Sequence, residues 1–253
     1  MIGNALVHKY FKAVAGVCLA SIPLLSLPAQ DETEIIKKLE ANQVFDTSRI
    51  EAKILVTNRF GLTGNAITSY SRAGGDTLIE ITEGPDRGQK ILRQKSSIYL
   101  FYPDAEEVIW LKGSALKDSM MGSDFSYEDL TNDKTILDRY TASLTGKEPV
   151  DGEECFRLTL TAKTRNETYA REELWVDSKL FVTRRALLYS ASGKAIREML
   201  SSDIRTVGGK NLAFRTVMKD LLKKTTSTEM LIGKAEIGIP LSDKYFNRDE
   251  LSW

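Results

Sequence analysis

Residues 156–163, Phe156-Arg157-Leu158-Thr159-Leu160-Thr161-Ala162-Lys163, alternate without a break. Phe156, Leu158, Leu160 and Ala162 fall in one phase; Arg157, Thr159, Thr161 and Lys163 fall in the other. Successive side chains of a strand point to opposite sides of a sheet, so this run marks a half-buried strand of the antiparallel kind. Residues 49–57 repeat the pattern, with Ile50, Ala52, Ile54 and Val56 set against Arg49, Glu51, Lys53 and Thr57. Looser versions occupy 66–72, 76–82, 89–94, 97–102, 108–112, 172–176, 181–189, 195–203, 214–220 and 225–235. Turn signals separate many of them, among them Ala73-Gly74-Gly75, Gly84-Pro85-Asp86, Val150-Asp151-Gly152, Ser192-Gly193 and Gly208-Gly209. Roughly a dozen short strands in succession predict an antiparallel meander, curled or closed into a barrel. The exception is 31–44, where Ile35, Ile36, Leu39 and Val44 recur at helical spacing behind an acidic start.

Residues 1–29 read as a secretory signal peptide, with an uncleaved membrane anchor as the alternative. Lys9 and Lys12 precede a run of small and apolar residues over 13–27, and Leu27-Pro28-Ala29 offers a cleavage site before Gln30. Lipidation at Cys18 is rejected, because Val17 stands where a small residue is needed and only 13–17 would serve as its hydrophobic core. The expected product is an exported chain, 30–253, forming one domain. Cleavage removes His8, the only histidine, together with Cys18. The remainder keeps Cys155 alone, so it forms no internal disulfide. Without histidine there is no Ser-His-Asp triad, no Cys-His dyad and no His-ligated metal. Cleavage also leaves 33 basic against 35 acidic side chains, a net charge near −2 with no basic stripe, which argues against nucleic acid as a partner. A carboxylate hydrolase built on Glu172 and Glu173 fails on geometry, since adjacent strand residues face opposite sides. The expectation is a non-enzyme with no cofactor and no metal.

Residues 120–130, MMGSDFSYEDL, interleave Met120, Met121, Phe125, Tyr127 and Leu130 with small and acidic residues. Ser123 or Asp124 is placed to cap a helix over 124–133, in which Phe125 and Asp129 share a face and Tyr127 meets Leu130. The wording resembles the segment that marks one branch of the outer-membrane lipoprotein-sorting proteins, the periplasmic LolA-like carriers. The likeness extends to Tyr99-Leu100-Phe101-Tyr102-Pro103 followed by Glu107-Val108-Ile109-Trp110, and to Arg171-Glu172-Glu173-Leu174-Trp175-Val176-Asp177. Tyr189 and Ser190 through Gly193, and the closing Phe246 and Leu251, extend it to the C-terminus.

That resemblance implies a mainly β (α+β) fold, a curved antiparallel sheet forming an incomplete barrel with helices plugging its mouth. The first helix, the 124–133 helix and the 243–251 segment are the candidate plugs. It further implies an apolar inner face that receives acyl chains. The candidate cavity or lid residues are Ile50, Ile54, Val56, Leu100, Trp110, Met120, Met121, Phe125, Tyr127, Leu130, Phe156, Leu158, Leu160 and Trp175. Those of 120–130 serve either as a movable lid or as fixed core. The implied partners are an acylated lipoprotein or lipid, an inner-membrane exporter and an outer-membrane acceptor; the alternative is an envelope sensor or interaction module on the same fold. Asp124, Glu128, Asp129 and Asp133 fit no calcium loop. Asn166-Glu167-Thr168 matches a glycosylation pattern by chance, and Cys155 reads as a small buried residue. Lys219, Lys223 and Lys224 form a short basic patch, either a solvated strand end or a contact for lipid headgroups.

Overall fold

The computed structural model describes residues 31–95, 97–131, 135–223 and 225–252. The leader expected over 1–29 lies outside these residues, as do Asp133 and Lys224. Thirteen strands follow one another: β1 (Thr47–Asn58), β2 (Gly61–Arg72), β3 (Thr77–Glu83), β4 (Lys90–Gln94), β5 (Ser97–Tyr102), β6 (Glu107–Leu111), β7 (Tyr140–Val150), β8 (Glu153–Ala162), β9 (Arg171–Asp177), β10 (Thr183–Tyr189), β11 (Ala195–Val207), β12 (Lys210–Asp220) and β13 (Ser227–Ile237). The helices are α1 (Glu32–Ala41), α2 (Tyr127–Thr131) and α3 (Ile136–Arg139), with short 3-10 turns at Met120–Gly122, Asp243–Phe246 and Arg248–Glu250 among others.

All the strands join one antiparallel sheet in the order β6-β5-β4-β3-β2-β1-β13-β12-β11-β10-β9-β8-β7. Every neighbour pair but one is consecutive in the chain; the exception is the pairing of the first strand with the last. The sheet therefore does not close, and β6 and β7 are its free edges. Since β6 is followed in the chain by β7, the connection joins the two edges, and its described side chains Met120, Phe125 and Leu130 pack on the concave face.

The register brings the two alternating runs onto one face. Leu144, Leu158, Leu174, Ala186, Met199, Met218, Thr228 and Val56 are successive cross-strand partners from β7 to β1. This inner face carries two clusters. One gathers Phe156, Leu158, Leu160, Leu174 and Val176 beneath α1, which contributes Ile35, Ile36 and Leu39. The other gathers Ile54, Val56, Ile67, Ile79, Ile81 and Leu100 beneath Met120. Leu130 and Met230 pack against both. The α1 helix starts where Asp31 accepts a hydrogen bond from the Thr33 N–H at 3.2 Å, with Glu32 and Glu34 in its first turn, which suits the positive end of its dipole.

The 243–251 segment plugs no mouth. Phe246 and Leu251 cover Tyr70, Leu78, Leu92 and Phe101, which alternate out of phase with Ile67, Ile79, Ile91 and Leu100 and so belong to the outer face. Tyr245 stacks on Tyr70 with ring centroids 4.0 Å apart, and Arg72 stacks on Phe246 at 4.5 Å. A sheet apolar on both faces at β2–β5 needs cover on both, and the C-terminus supplies the outer one.

Candidate functional site

The crossing segment is held to the inner face by polar contacts at each end. The helix cap is Ser126, not Ser123 or Asp124. Its hydroxyl accepts from the Asp129 N–H at 3.1 Å, and its own N–H donates to Asp129 Oδ2 at 2.8 Å, a reciprocal capping box. Asp124 is instead buried against β13: Thr228 Oγ1 accepts from the Asp124 N–H at 2.7 Å and donates to Asp124 Oδ2 at 3.0 Å. Burial raises the Asp124 pKa, partly offset by that hydroxyl. Met121 turns the chain with a left-handed backbone (φ 51°), so Met120 enters the core while Met121 faces Asn65.

At the far end Arg197 Nη1 donates to Asp129 Oδ2 at 2.9 Å and to the Tyr169 hydroxyl at 2.7 Å, while that hydroxyl donates to Asp129 at 3.1 Å. Thr168 donates to Glu128 at 2.7 Å. Burial, then the Asp129 carboxylate, raises the Tyr169 pKa well above its ordinary value and keeps the phenol protonated. Nearby, burial raises the Glu172 pKa, with the Tyr140 hydroxyl opposing the shift. These groups form a polar latch on an otherwise apolar face. Their carboxylates are engaged with the fold, and no cluster of three potential metal ligands occurs among the described residues.

Between Leu130 of α2 and the wall formed by β1–β3 and β13 lies a cavity of about 450 Å³, within the ~300–1,000 Å³ range of small-molecule sites. Its centre is apolar: Ala52, Ile67, Ile79, Leu130, Met230 and Ile232. Its outer end is not. Ser48, Ser71 and Thr77 are cross-strand partners, and Ser71 and Thr77 share a hydrogen bond of 3.2 Å. Ser69, between Ile50 and Ile79, forms the step from polar to apolar. Gln43, Val44, Phe45, Gly74 and Gly75 rim this end. The one cation lining the cavity, Arg72, has its guanidinium committed to Asp76 at 2.7 Å and Asp243 at 2.8 Å.

Of the side chains nominated from sequence, Ile50 and Leu130 line this cavity. Ile54, Val56, Leu100 and Met120 lie in the adjoining core, with Met121 and Tyr127 packed against it. Phe125, Phe156, Leu158 and Leu160 lie in the other cluster, under α1. The two tryptophans are elsewhere. Trp110, 50% exposed on the edge strand, stacks on Tyr99 at 6.1 Å, out of phase with the inner-facing Leu100. Trp175 alternates with Leu174 and Val176, so it faces outward, where its indole donates to Glu148 at 3.1 Å and lies between Arg157 and Arg185. Sequence reading passed over Ile67, Ile79, Met230 and Ile232 as sites although they sit in predicted strands. The hydroxyl row gave no signal, since Ser and Thr in the apolar phase read as breaks in the pattern.

An open antiparallel half-barrel crossed by a helical segment over an apolar hollow defines a LolA-like fold. Among the solved structures that share it are a DUF1329 family protein from Desulfovibrio piger (23% identity, TM-score 0.79, covering 86% of this chain and 96% of that one), a domain assigned to outer membrane lipoprotein sorting from Vibrio parahaemolyticus (18%, 0.79, 87% and 97%), and a LolA superfamily protein from Nitrosomonas europaea (23%, 0.70, 86% and 97%). The resemblance read from sequence is thus borne out in the fold. Residues 74–253 match the model of a family described as "Uncharacterized protein", and the chain belongs to that family. No curated protein matches it. No helix among the described residues is long and apolar enough to cross a membrane.

Proposed function

We propose that the chain is a periplasmic carrier that shelters the acyl part of a lipoprotein or lipid in the inner-face cavity, taking it from an inner-membrane exporter and giving it to an outer-membrane acceptor. The observation that carries this reading is the cavity itself, an apolar hollow of about 450 Å³ under a segment that crosses from edge to edge. Each methylene taken out of water contributes about 0.8 kcal/mol, so a long acyl chain resists an aqueous gap by on the order of 10 kcal/mol. A hollow that buries the chain as well as a bilayer does makes pick-up and delivery nearly isoenergetic. The polarity gradient orients the guest: tail toward Ala52, Ile67 and Met230, and a hydrogen-bonding but uncharged linkage, such as an ester, amide or hydroxyl, at Ser48, Ser69 and Ser71. The fold shared with the Vibrio and Nitrosomonas proteins supports the same reading.

Native mass spectrometry of the protein purified from its own envelope tests this. A bound lipid or lipopeptide of defined mass is the expected result. Protein that carries no lipid and takes up no fluorescent acyl probe after delipidation would end the carrier reading, and a stoichiometric protein partner in place of lipid would favour a sensor.

A further inference from the structure

We propose that the hairpin tips at β1–β2 and β12–β13 together form a docking site for an anionic lipid surface. Among the described residues seven large hydrophobic side chains are exposed, and four of them sit on these two tips: Phe60 (83%), Leu62 (66%), Leu221 (40%) and Leu222 (53%). The tips are far apart in sequence but adjacent in space, because β1 pairs with β13 and Thr57 faces Ser227 at the last rung of that ladder. Two loops that lie side by side, each with two large apolar side chains turned to solvent, leave a patch that folding does not account for.

The local chemistry holds these side chains outward. In the first tip Asn58 Oδ1 accepts from the Phe60 N–H at 2.8 Å. In the second, Asp220 Oδ1 accepts from the Leu222 N–H at 2.8 Å and from the Lys223 N–H at 3.1 Å. Both are Asx turns, and both satisfy the backbone donors of the residues that would enter a membrane interface, where an unbonded N–H is costly. Arg59 lies over the Phe60 ring at 4.5 Å, and Lys219 and Lys223 flank the second tip. Of the carboxylates nearby, Asp220 is engaged by backbone N–H groups and by Lys223 at 3.5 Å, Asp124 is buried against Thr228, and Glu198, the cross-strand partner of Lys219, is held by Arg185 at 2.8 Å. Cations around an apolar tip suit acidic headgroups. A protein partner fits less well, because two narrow tips do not present the roughly 800 Å² a side that a stable protein interface covers.

This inference stands apart from the cavity, whose guest it does not specify, and the test keeps them apart. The mature chain is floated with phosphatidylcholine vesicles, with and without phosphatidylglycerol. Wild type is expected to float with the anionic vesicles, less with the neutral ones, and added salt should remove the difference. The double variant Phe60→Ser/Leu222→Ser should lose at least about tenfold in partitioning, because each side chain loses its apolar burial. Its thermal midpoint should not move, since both side chains are exposed. Ile109→Ser, an exposed apolar residue on the far edge strand, should float like wild type, as should the cavity-filling Ala52→Phe. Wild type that stays with neither vesicle, a tip variant that floats undiminished, or loss of flotation in Ala52→Phe but not in the tip variant would each overturn the proposal.

Discussion

Opening of the crossing segment should be governed by the Asp129–Arg197–Tyr169 latch. Arg197 and Asp129 are each 15% exposed at the side chain, so solvent screens their attraction little. Arg197 Nη1 reaches both Asp129 and the Tyr169 hydroxyl within 2.9 Å. Charge-assisted hydrogen bonds of this kind contribute about 1.5–3 kcal/mol each, but desolvating two ions takes much of that back. A net coupling of about 2 kcal/mol is the expectation, a factor of about 30 in the equilibrium between closed and open segment. Arg197→Met keeps the apolar stem while removing the donors. Asp129→Asn keeps an oxygen for the Ser126 cap while removing the charge. Deuterium exchange over 120–131 in both single variants and the double then completes a cycle. Protection should fall by about 30-fold in Arg197→Met, and the double variant should open scarcely more than the worse single. Effects that add to within about 0.5 kcal/mol would show that the three groups do not act as a latch. Protection at 120–131 that is high and unmoved by the substitutions or by lipid would make the segment fixed core.

Three other outcomes follow from particular contacts. Burial raises the Asp177 pKa, but the Leu180 and Lys179 N–H groups and Arg184 outweigh it and hold the carboxylate below its ordinary range. That stabilisation is present above the unfolded-state value and is lost as pH falls through the folded one. Asp177→Asn should therefore cost about 2–4 kcal/mol in urea titrations near pH 7, with a gap to wild type that shrinks below about pH 4; an equal gap at both pH values would refute it. Met120, 0% exposed, should cost about 2–5 kcal/mol when cut to Ala, read as a lower denaturant midpoint. Ala52→Phe puts a ring into the cavity and should weaken binding of an acyl probe at least about tenfold, for an overpacking cost of about 1–3 kcal/mol in stability; undiminished binding would place the guest elsewhere.

Legibility in the sequence followed burial. Strands with one clean apolar phase, such as β1 and β8, announced themselves, and so did α1. β7 did not. It is an edge strand whose residues 145–149 are all exposed, and it carries Gly146 and Pro149, features that an edge tolerates and a central strand does not. The 120–130 segment was marked as apolar in the wrong place, yet its actual form, a left-handed Met121 and a late cap at Ser126, depends on contacts with β13 and the β8–β9 loop far away in sequence. Both tryptophans entered the candidate site through the resemblance, whereas strand phase puts them on the outer face. The cavity itself was illegible for a simpler reason. A hollow is defined by which strands stand beside which, and neighbourhood across β1 and β13 cannot be read from alternation within either strand.

That pairing of β1 with β13 makes the molecule a book with its spine in the middle. Strands β1–β6 form one cover and β7–β13 the other, each contiguous in sequence and each a local meander. The spine itself carries a bulge at Gly233, opposite Glu51 and Ala52, beside the cavity wall. During synthesis the first cover can assemble early, but β1 waits with a bare backbone edge until the final strand has been made. Such an edge is a template for mispairing, so a chain cut short before β13 should aggregate more than the uncut chain.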